Sequence, residues 1–566
     1  MASESLSPSA SDFQDRGRQQ SVASSRESIP HSARGASATP APSAWFPLGY
    51  REGFSQWWAS LPAATAEHRV LSYLPYLQHH PPTHLQTGKT SDSPAGELGS
   101  LQAADQTQEG EVSASSTDDP YGPRKWRSSM VELSGKNRAL NEFSVERVGE
   151  EADQHLVMLH GYGAGLGFFY KNFEPLSRPK GWQLHALDLL GMGRSTRPSF
   201  RIKAKEREEA IKEAEAWFVD ALEEWRIKRK IDRFTLLGHS LGGYMAVAYA
   251  LKYPGRLNKL ILASPVGIPE DPNAIQAELP ASSESGSAGE PTQNQRNITA
   301  SASSVNPGEL QKGDNNILLR GSSSDSSASQ DRPPRRMVPK WFAYLWDANI
   351  SPFTLVRWAG PLGPRLVSGW TSRRFSHLPA DEAKVLHDYS YSIFSQRGSG
   401  EYALAYILAP GAFARSPLIQ RIQGVGRQYI QENPSPASSV LESSKSSCFK
   451  SKSKPAPEPS ANPEPAQSSL TPARRENGLP VLFMYGDHDW MDVRGGIAAK
   501  AKLDEEKRRI LQDATVQETQ ADNGSAKVVI IKNAGHHIYL DGWEEFNRIV
   551  VSEMEETARR ERAKST

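Results

Sequence analysis

Residues 234–249 read FTLLGHSLGGYMAVAY. Phe234–Leu237 is a short apolar strand, Gly238-His239-Ser240-Leu241-Gly242 a sharp turn, and a helix starts at once with Tyr244, Met245 and Val247. The turn has the pattern G-x-S-x-G, the nucleophile elbow, in which a serine sits in a strained backbone conformation at the tip of a parallel sheet with its hydroxyl in the open. Gly238 and Gly242 are needed because a side chain at either collides as strand and helix close on each other. Alone the motif is common. Framed by an apolar strand and a helix, it makes Ser240 a candidate nucleophile rather than a surface serine in an ordinary βα turn.

Outward from the elbow the same kind of strand recurs. Apolar runs lie at His155–Leu159, Trp182–Leu187, Lys259–Ala263, Pro480–Met484 and Lys527–Ile531. Met130–Ser134 and Leu140–Val148 read as an antiparallel hairpin joined by Gly135-Lys136-Asn137. Ala204–Lys228 reads as a helix whose buried stripe is Trp217, Phe218, Ala221, Leu222 and Trp225. Strands alternating with helices predict an α/β architecture, a mostly parallel sheet with helices on both faces.

The chain has 566 residues, enough for two or three domains, but only 37% are hydrophobic and mean hydropathy is −0.58, so much of it cannot bury itself. Composition divides it into a disordered tail (1–43), an aromatic amphipathic segment (44–78), a polar linker (79–119) and a first core part (120–272). A disordered insertion (273–334), a helical lid (335–431), a second insertion (432–478) and a second core part (479–566) follow. Two readings fit Trp45, Phe46, Tyr50, Phe54, Trp57, Trp58 and Leu61 in the aromatic segment: an anchor lying on a lipid surface, or rings packed on the body or lid. Arg16, Arg18, Arg26 and Arg34 favour a mitochondrial address for the tail, while Glu4, Asp12, Asp15 and Glu27 oppose one. A net charge of +1 gives no pull toward nucleic acid. The single cysteine, Cys448, excludes an internal disulfide and fits a reducing, intracellular setting. No run of about eighteen apolar residues exists, so membrane contact is expected to be peripheral.

A serine hydroxyl needs a neighbouring base, itself oriented by a carboxylate, and in this arrangement they follow in the order Ser, acid, His. PVLFMYGDHDWMD (480–492) ends a strand in a carboxylate-rich loop. Asp489 is the expected acid, Asp492 its competitor and Asp487 a third choice. VVIIKNAGHHIYLD (528–541) presents His536 as the base, with His537 next to it. His160 and His239 belong to turns. An oxyanion hole requires backbone N–H donors: Leu241 after the nucleophile, and Tyr162 or Gly163 from the glycine-rich run HGYGAG (160–165). Asp188-Leu-Leu-Gly-Met-Gly-Arg-Ser195 reads as a structural turn. His536 and Asp541 also spell H-x4-D, a pattern of glycerolipid acyltransferases, but Asp541-Gly-Trp-Glu544 has the spacing of a capping box for the helix Trp543–Met554. Neither a metal site nor a cofactor is predicted.

HGYGAGLGFFYKNFEPLS, LDLLGMGRSTRP, GHSLGGYMA, WAGPLG…SPLIQRI, YGDHDWMD and AGHHIYLD together resemble one α/β-hydrolase subfamily. It holds the comparative-gene-identification lipid-droplet coactivator, its N-acyl phospholipid lipase paralogue, and fungal cardiolipin-specific deacylases and lysophosphatidate acyltransferases. The resemblance implies an α/β-hydrolase fold with a helical lid, a phospholipid acyl substrate, Ser240, His536 and an acid as triad, and a tryptophan-bearing N-terminal anchor. It implies no cofactor. The coactivator branch lacks the elbow serine, which is present here. Independently, residues 335–374 carry Arg335, Arg336, Lys340, Arg357, Arg365, Arg373 and Arg374 against Asp347 alone, among several aromatics, which suits an anionic lipid surface. The leading expectation is a phospholipid deacylase of cardiolipin type, with lysophosphatidate acyl transfer by the same site as the alternative. A non-catalytic lipid-surface adaptor is the reading from another class.

Overall fold

The computed structural model describes residues 47–76, 112–115, 119–270, 340–430 and 474–565. The expected tail (1–43), Trp45, Phe46, the whole of the first insertion (273–334) and most of the second (432–478) lie outside these. A nine-stranded sheet is built from β1 (Val112–Ser115), β2 (Arg124–Glu132), β3 (Ala139–Arg147), β4 (Gln154–Leu159), β5 (Trp182–Leu187), β6 (Phe234–His239), β7 (Leu257–Ala263), β8 (Pro480–Gly486) and β9 (Ser525–Ile531), in the order β1-β2-β3-β5-β4-β6-β7-β8-β9. From β5 to β9 neighbours run parallel, and β3, β2 and β1 continue antiparallel at one edge. This is the mostly parallel α/β architecture that the strand–helix alternation predicts, and the α/β-hydrolase fold that the resemblance implies.

The helices follow as α1 (Tyr50–Ala59), α2 (Ala63–Leu71), α3 (Tyr170–Leu176), α4 (Arg207–Lys228) and α5 (Leu241–Lys252). Next come α6 (Lys340–Asp347), α7 (Pro352–Trp358), α8 (Gly363–Arg374), α9 (Ala380–Phe394) and α10 (Leu404–Ile407), then α11 (Val493–Gln512), α12 (Val516–Ala521), α13 (Ile538–Asp541) and α14 (Trp543–Ser565). Every residue of β6 is buried, because successive side chains enter different cores. Leu236 packs with Phe218, Trp225 and Tyr249 of α4 and α5, whereas Leu237 joins Phe173, Phe546 and Met554 of α3 and α14. That is why the run reads as continuously apolar rather than alternating.

Parallel registers bring the functional loops to one rim. Leu159 pairs with Gly238, His239 with Ala263, and Gly486 with Ile531, so the loops after β4, β6, β8 and β9 all leave the sheet at its carboxyl end, where ligands bind in α/β sheets.

Three sequence expectations need correction. Val112–Ser115, expected within the linker, forms the edge strand β1: a ladder on β2 needs backbone N–H and C=O groups, not apolar side chains. Arg474-Arg475, expected within the second insertion, pairs antiparallel with Tyr429-Ile430, and Glu476 accepts from the amides of Gly255 (2.7 Å) and Gln428 (3.0 Å). The segment 44–78 is not a single anchor. Its first half, α1, exposes Tyr50, Phe54, Trp57 and Trp58 while sitting on the lid, where Gln56 donates to Asp388 (2.8 Å) and Arg365 stacks on Tyr50 (3.8 Å). Its second half is core: Ala66, Val70, Leu71 and Leu74 are buried, and the fully buried Glu67 pairs with Arg194 at 2.5 Å. Composition could not separate the halves, because both are mixed apolar and charged.

The lid's charge excess is likewise smaller than its own sequence suggests. Glu401 pairs with Arg357 at 2.6 Å and Asp541 with Arg374 at 2.9 Å, two acids from outside the 335–374 window. Among the described residues no helix is long and apolar enough to cross a membrane.

Glu67→Ala is expected to cost about 3–5 kcal/mol, the penalty for breaking a buried ion pair, whereas Trp58→Ala should change stability by less than about 0.5 kcal/mol. Urea unfolding of both variants checks this contrast between the two halves of the segment.

Candidate active site

Ser240 adopts φ 53° and ψ −114°, between β6 and α5, with its N–H donating to the Ala263 carbonyl at 3.0 Å. A Cβ on Gly238 would stand 2.3 Å from the Gly242 carbonyl oxygen. A Cβ on Gly242 would meet the carbonyl oxygens of Leu159 (2.5 Å) and His160 (2.7 Å). The first glycine is therefore required by the turn's own strand–helix closure, the second by the neighbouring strand β4.

His536 Nε2 lies 3.0 Å from Ser240 Oγ, and Nδ1 lies 3.0 Å from Asp489 Oδ1. Nδ1–H donates to the carboxylate, which leaves the Nε2 lone pair to accept the serine proton. The Asp489 side chain is fully buried and also accepts the Met491 N–H at 3.0 Å, so both its depth and its orientation are fixed. The Trp490 ring packs against the imidazole, with centroids 4.6 Å apart.

The competing carboxylates point elsewhere. Asp492 caps α11, accepting the Arg494 N–H at 2.9 Å and pairing with the Arg494 side chain near the surface. Asp487 accepts the amides of Asn533 (3.0 Å) and Ala534 (3.1 Å), bonds that hold its carboxyl below the usual range and tie the β8 loop to the β9 loop.

The run 160–165 lies directly on the nucleophile: a Cβ on Gly161 would come within 2.9 Å of both Ser240 Cβ and His239 Nδ1. Gly163 has φ +70°, a conformation a side chain would strain. Leu241 opens α5, so its amide is one of the four that a helix N-terminus leaves without an intrahelical acceptor. Leu241 thus adjoins Ser240 in the chain, and the loop that carries Tyr162 and Gly163 adjoins it in space at Gly161. The Tyr162 ring stacks on Phe353 of α7 (centroids 4.7 Å, 22° between planes), and Phe353 stacks on Phe394 of α9 (4.4 Å), so the lid rests on this loop.

Both turn histidines prove to brace the site. His239 Nε2–H donates to the His536 carbonyl at 3.0 Å, and burial holds the ring well below the ordinary histidine range, hence neutral. His160 Nδ1–H donates to Gly161 O (2.7 Å) and Nε2 accepts the Leu189 N–H (3.1 Å); burial lowers it to about 4. Asp188 is structural as expected, its Oδ1 holding the Leu166 amide and its Oδ2 the Arg194 amide, each at 2.7 Å.

The capping-box expectation for Asp541 is not met. Its carboxylate turns back to the Gly535 N–H (3.2 Å) and to Arg374 Nη1 of the lid (2.9 Å), because Asp541 is the last residue of the one-turn α13 and Gly542, not Asp541, directly precedes α14. His537 accepts from Arg374 Nε at 2.9 Å, and burial first, then the Arg374 charge, keep it neutral. Within this network His239, Arg374 and Phe353 were missed at the sequence level. Only His239 carried a local signal, as the residue before the elbow serine. Arg374 and Phe353 reach the site through the lid from more than a hundred residues away in the chain.

Residues 154–360 match the family model described as alpha/beta hydrolase fold. Over 308 residues (54% of this chain, 68% of the relative) the chain is 31% identical to the 1-acylglycerol-3-phosphate O-acyltransferase ABHD5 of Mus musculus. The chain belongs to the α/β-hydrolase family. It is 35% identical over 376 residues to a 1-acylglycerol-3-phosphate O-acyltransferase of Arabidopsis thaliana, covering 65% of this chain and 63%, under two thirds, of that relative's length. Over 398 residues (70% of this chain, 77% of the relative) it is 26% identical to a (lyso)-N-acylphosphatidylethanolamine lipase of Bos taurus. These relatives are plant and animal lipid enzymes by name, a broader kinship than the fungal cardiolipin deacylases the motifs resemble.

Asp489→Asn is expected to lower kcat by about 10⁴-fold, as loss of the orienting carboxylate does in serine triads. Asp492→Asn should leave kcat unchanged while costing about 1 kcal/mol or less of stability as a weakened helix cap. Steady-state kinetics on a soluble ester, beside thermal unfolding, separates the two.

Proposed function

We propose that this α/β-hydrolase transfers acyl groups of glycerophospholipids through an acyl-enzyme on Ser240, with 1-acylglycerol-3-phosphate as the acceptor. The observation that carries the reading is the line of hydrogen bonds from Ser240 through His536 to Asp489 at a strained elbow. The acyltransferase names of the plant and mouse relatives favour a lysolipid as second nucleophile. In the first half-reaction Ser240 Oγ attacks the donor carbonyl while His536 Nε2 takes its proton. The oxyanion is met by the amides of Leu241 and Tyr162 or Gly163, each worth on the order of 3 kcal/mol. Collapse breaks the bond to the leaving group, which His536 protonates. In the second, His536 takes the proton of the acceptor hydroxyl, that oxygen attacks the acyl-enzyme, and Ser240 leaves with the proton returned.

Water in place of the acceptor gives hydrolysis, so deacylation of a cardiolipin-type phospholipid is the second reading, favoured by the lipase name of the bovine relative and by the motifs. The work takes place at a lipid surface. Tyr50, Phe54 and Trp58 of α1 and Trp358 of the lid are exposed there, amphipathic rings of the kind that favour membrane interfaces. Mitochondrial membranes and lipid droplets are the candidate locations.

The test is a vesicle-borne acyl donor with rising lysophosphatidate, counting phosphatidate and free fatty acid. Ser240→Ala should lose both products by more than about 10³-fold. In the wild type, phosphatidate should rise at the expense of fatty acid while their sum stays level, the mark of one shared acyl-enzyme. Full activity in Ser240→Ala overturns the reading.

A further inference from the structure

We propose that Arg374, at the last turn of lid helix α8, is a positioning residue for the base His536, so that the imidazole is set for proton transfer only while the lid is seated. This rests on the Ser240–His536–Asp489 reading above.

The loop leaving β9 is gripped at three consecutive residues. Asp541 Oδ2 accepts the Gly535 N–H at 3.2 Å, His239 donates to the His536 carbonyl at 3.0 Å, and His537 Nδ1 accepts from Arg374 Nε at 2.9 Å. Arg374 supplies two of these restraints, since its Nη1 also holds Asp541 Oδ1 at 2.9 Å and so fixes the carboxylate that holds Gly535. His377, three residues further along the chain, approaches the same oxygen at 3.5 Å. One guanidinium therefore bridges the lid to residues 537 and 541, on either side of the turn that follows the imidazole. Only the planar fork of arginine offers two donors at the required separation; a lysine ammonium reaches one acceptor as a point charge. The neighbour His537 must be neutral to accept, as its burial ensures.

The H-x4-D pattern acquires a physical meaning here. Asp541 does not touch the His536 ring. It joins the base loop to the lid, and so serves water and a lysolipid acceptor equally. Misplacement of a reacting group by about 1 Å costs on the order of 10²-fold in rate, so loosening this grip should fall on kcat.

The experiment compares Arg374→Gln, Arg374→Lys and Asp541→Asn in the full chain, using a short-chain p-nitrophenyl ester for hydrolysis and lysophosphatidate as acceptor for transfer. Arg374→Gln is expected to lower kcat by about 10–100-fold with KM changed less than about twofold. Arg374→Lys should recover part of the loss, and hydrolysis and transfer should fall by the same factor in every variant. A folded Arg374→Gln with wild-type kcat overturns the proposal, as does a rise in KM alone, which would mark Arg374 as a substrate contact. If Arg374→Gln does not fold, Asp541→Asn decides: equal losses in both reactions support the proposal, loss of transfer alone overturns it. Ser240→Ala, run alongside, keeps the two levels apart. Activity surviving in it defeats the serine mechanism itself, whereas activity lost in it and intact in Arg374→Gln defeats only the positioning role.

Discussion

The φ of 53° at Ser240 is a conformation that non-glycine residues avoid, and the chain reaches it only because its surroundings leave no other path. Gly238 lets α5 fold back against β6, and Gly242 lets that helix's first turn pass under the carbonyls that end β4. The parallel pairing of β4, β6 and β7 then fixes where the hydroxyl points, with the Ser240 amide anchored to Ala263 as the last bond of the ladder. In this conformation the serine stands between His536 and the 160–165 loop.

Much of this was readable in the chain. The strands are predicted within about two residues at most boundaries, because a doubly covered parallel sheet writes each strand as an uninterrupted apolar run. That Asp489 and His536 meet Ser240 follows from chain order and from loops directly after strands. What could not be read depends on partners distant in sequence. Asp489 is the expected acid from its place after Gly486, yet Asp492 stays its competitor until the loop shows one capping α11 and the other buried beneath the imidazole. Asp541 has capping-box spacing, yet a lid arginine draws it elsewhere. The aromatic N-terminal segment has one composition and two fates, decided by the buried Glu67–Arg194 pair that holds α2 in the core.

The lid belongs to the site as much as the sheet does. It meets the 160–165 loop through the Tyr162–Phe353 stack and the loop after β9 through Arg374. It also carries α1, through Gln56 and Asp388 and through the Arg365–Tyr50 stack. The exposed rings of α1 and the groups that surround Ser240 are thus linked through the same few helices, so a force applied at those rings has a direct mechanical route to the catalytic loops.

The short ladder between Tyr429-Ile430 and Arg474-Arg475 has a different kind of consequence. It places Ile430 opposite Arg474, so two points 44 positions apart in sequence are neighbours in the fold. Lengthening such a loop costs only about 0.6 kcal/mol for each doubling. The sequence joining Ile430 to Arg474 can therefore lengthen or shorten at little cost while the short ladder keeps β8 in register.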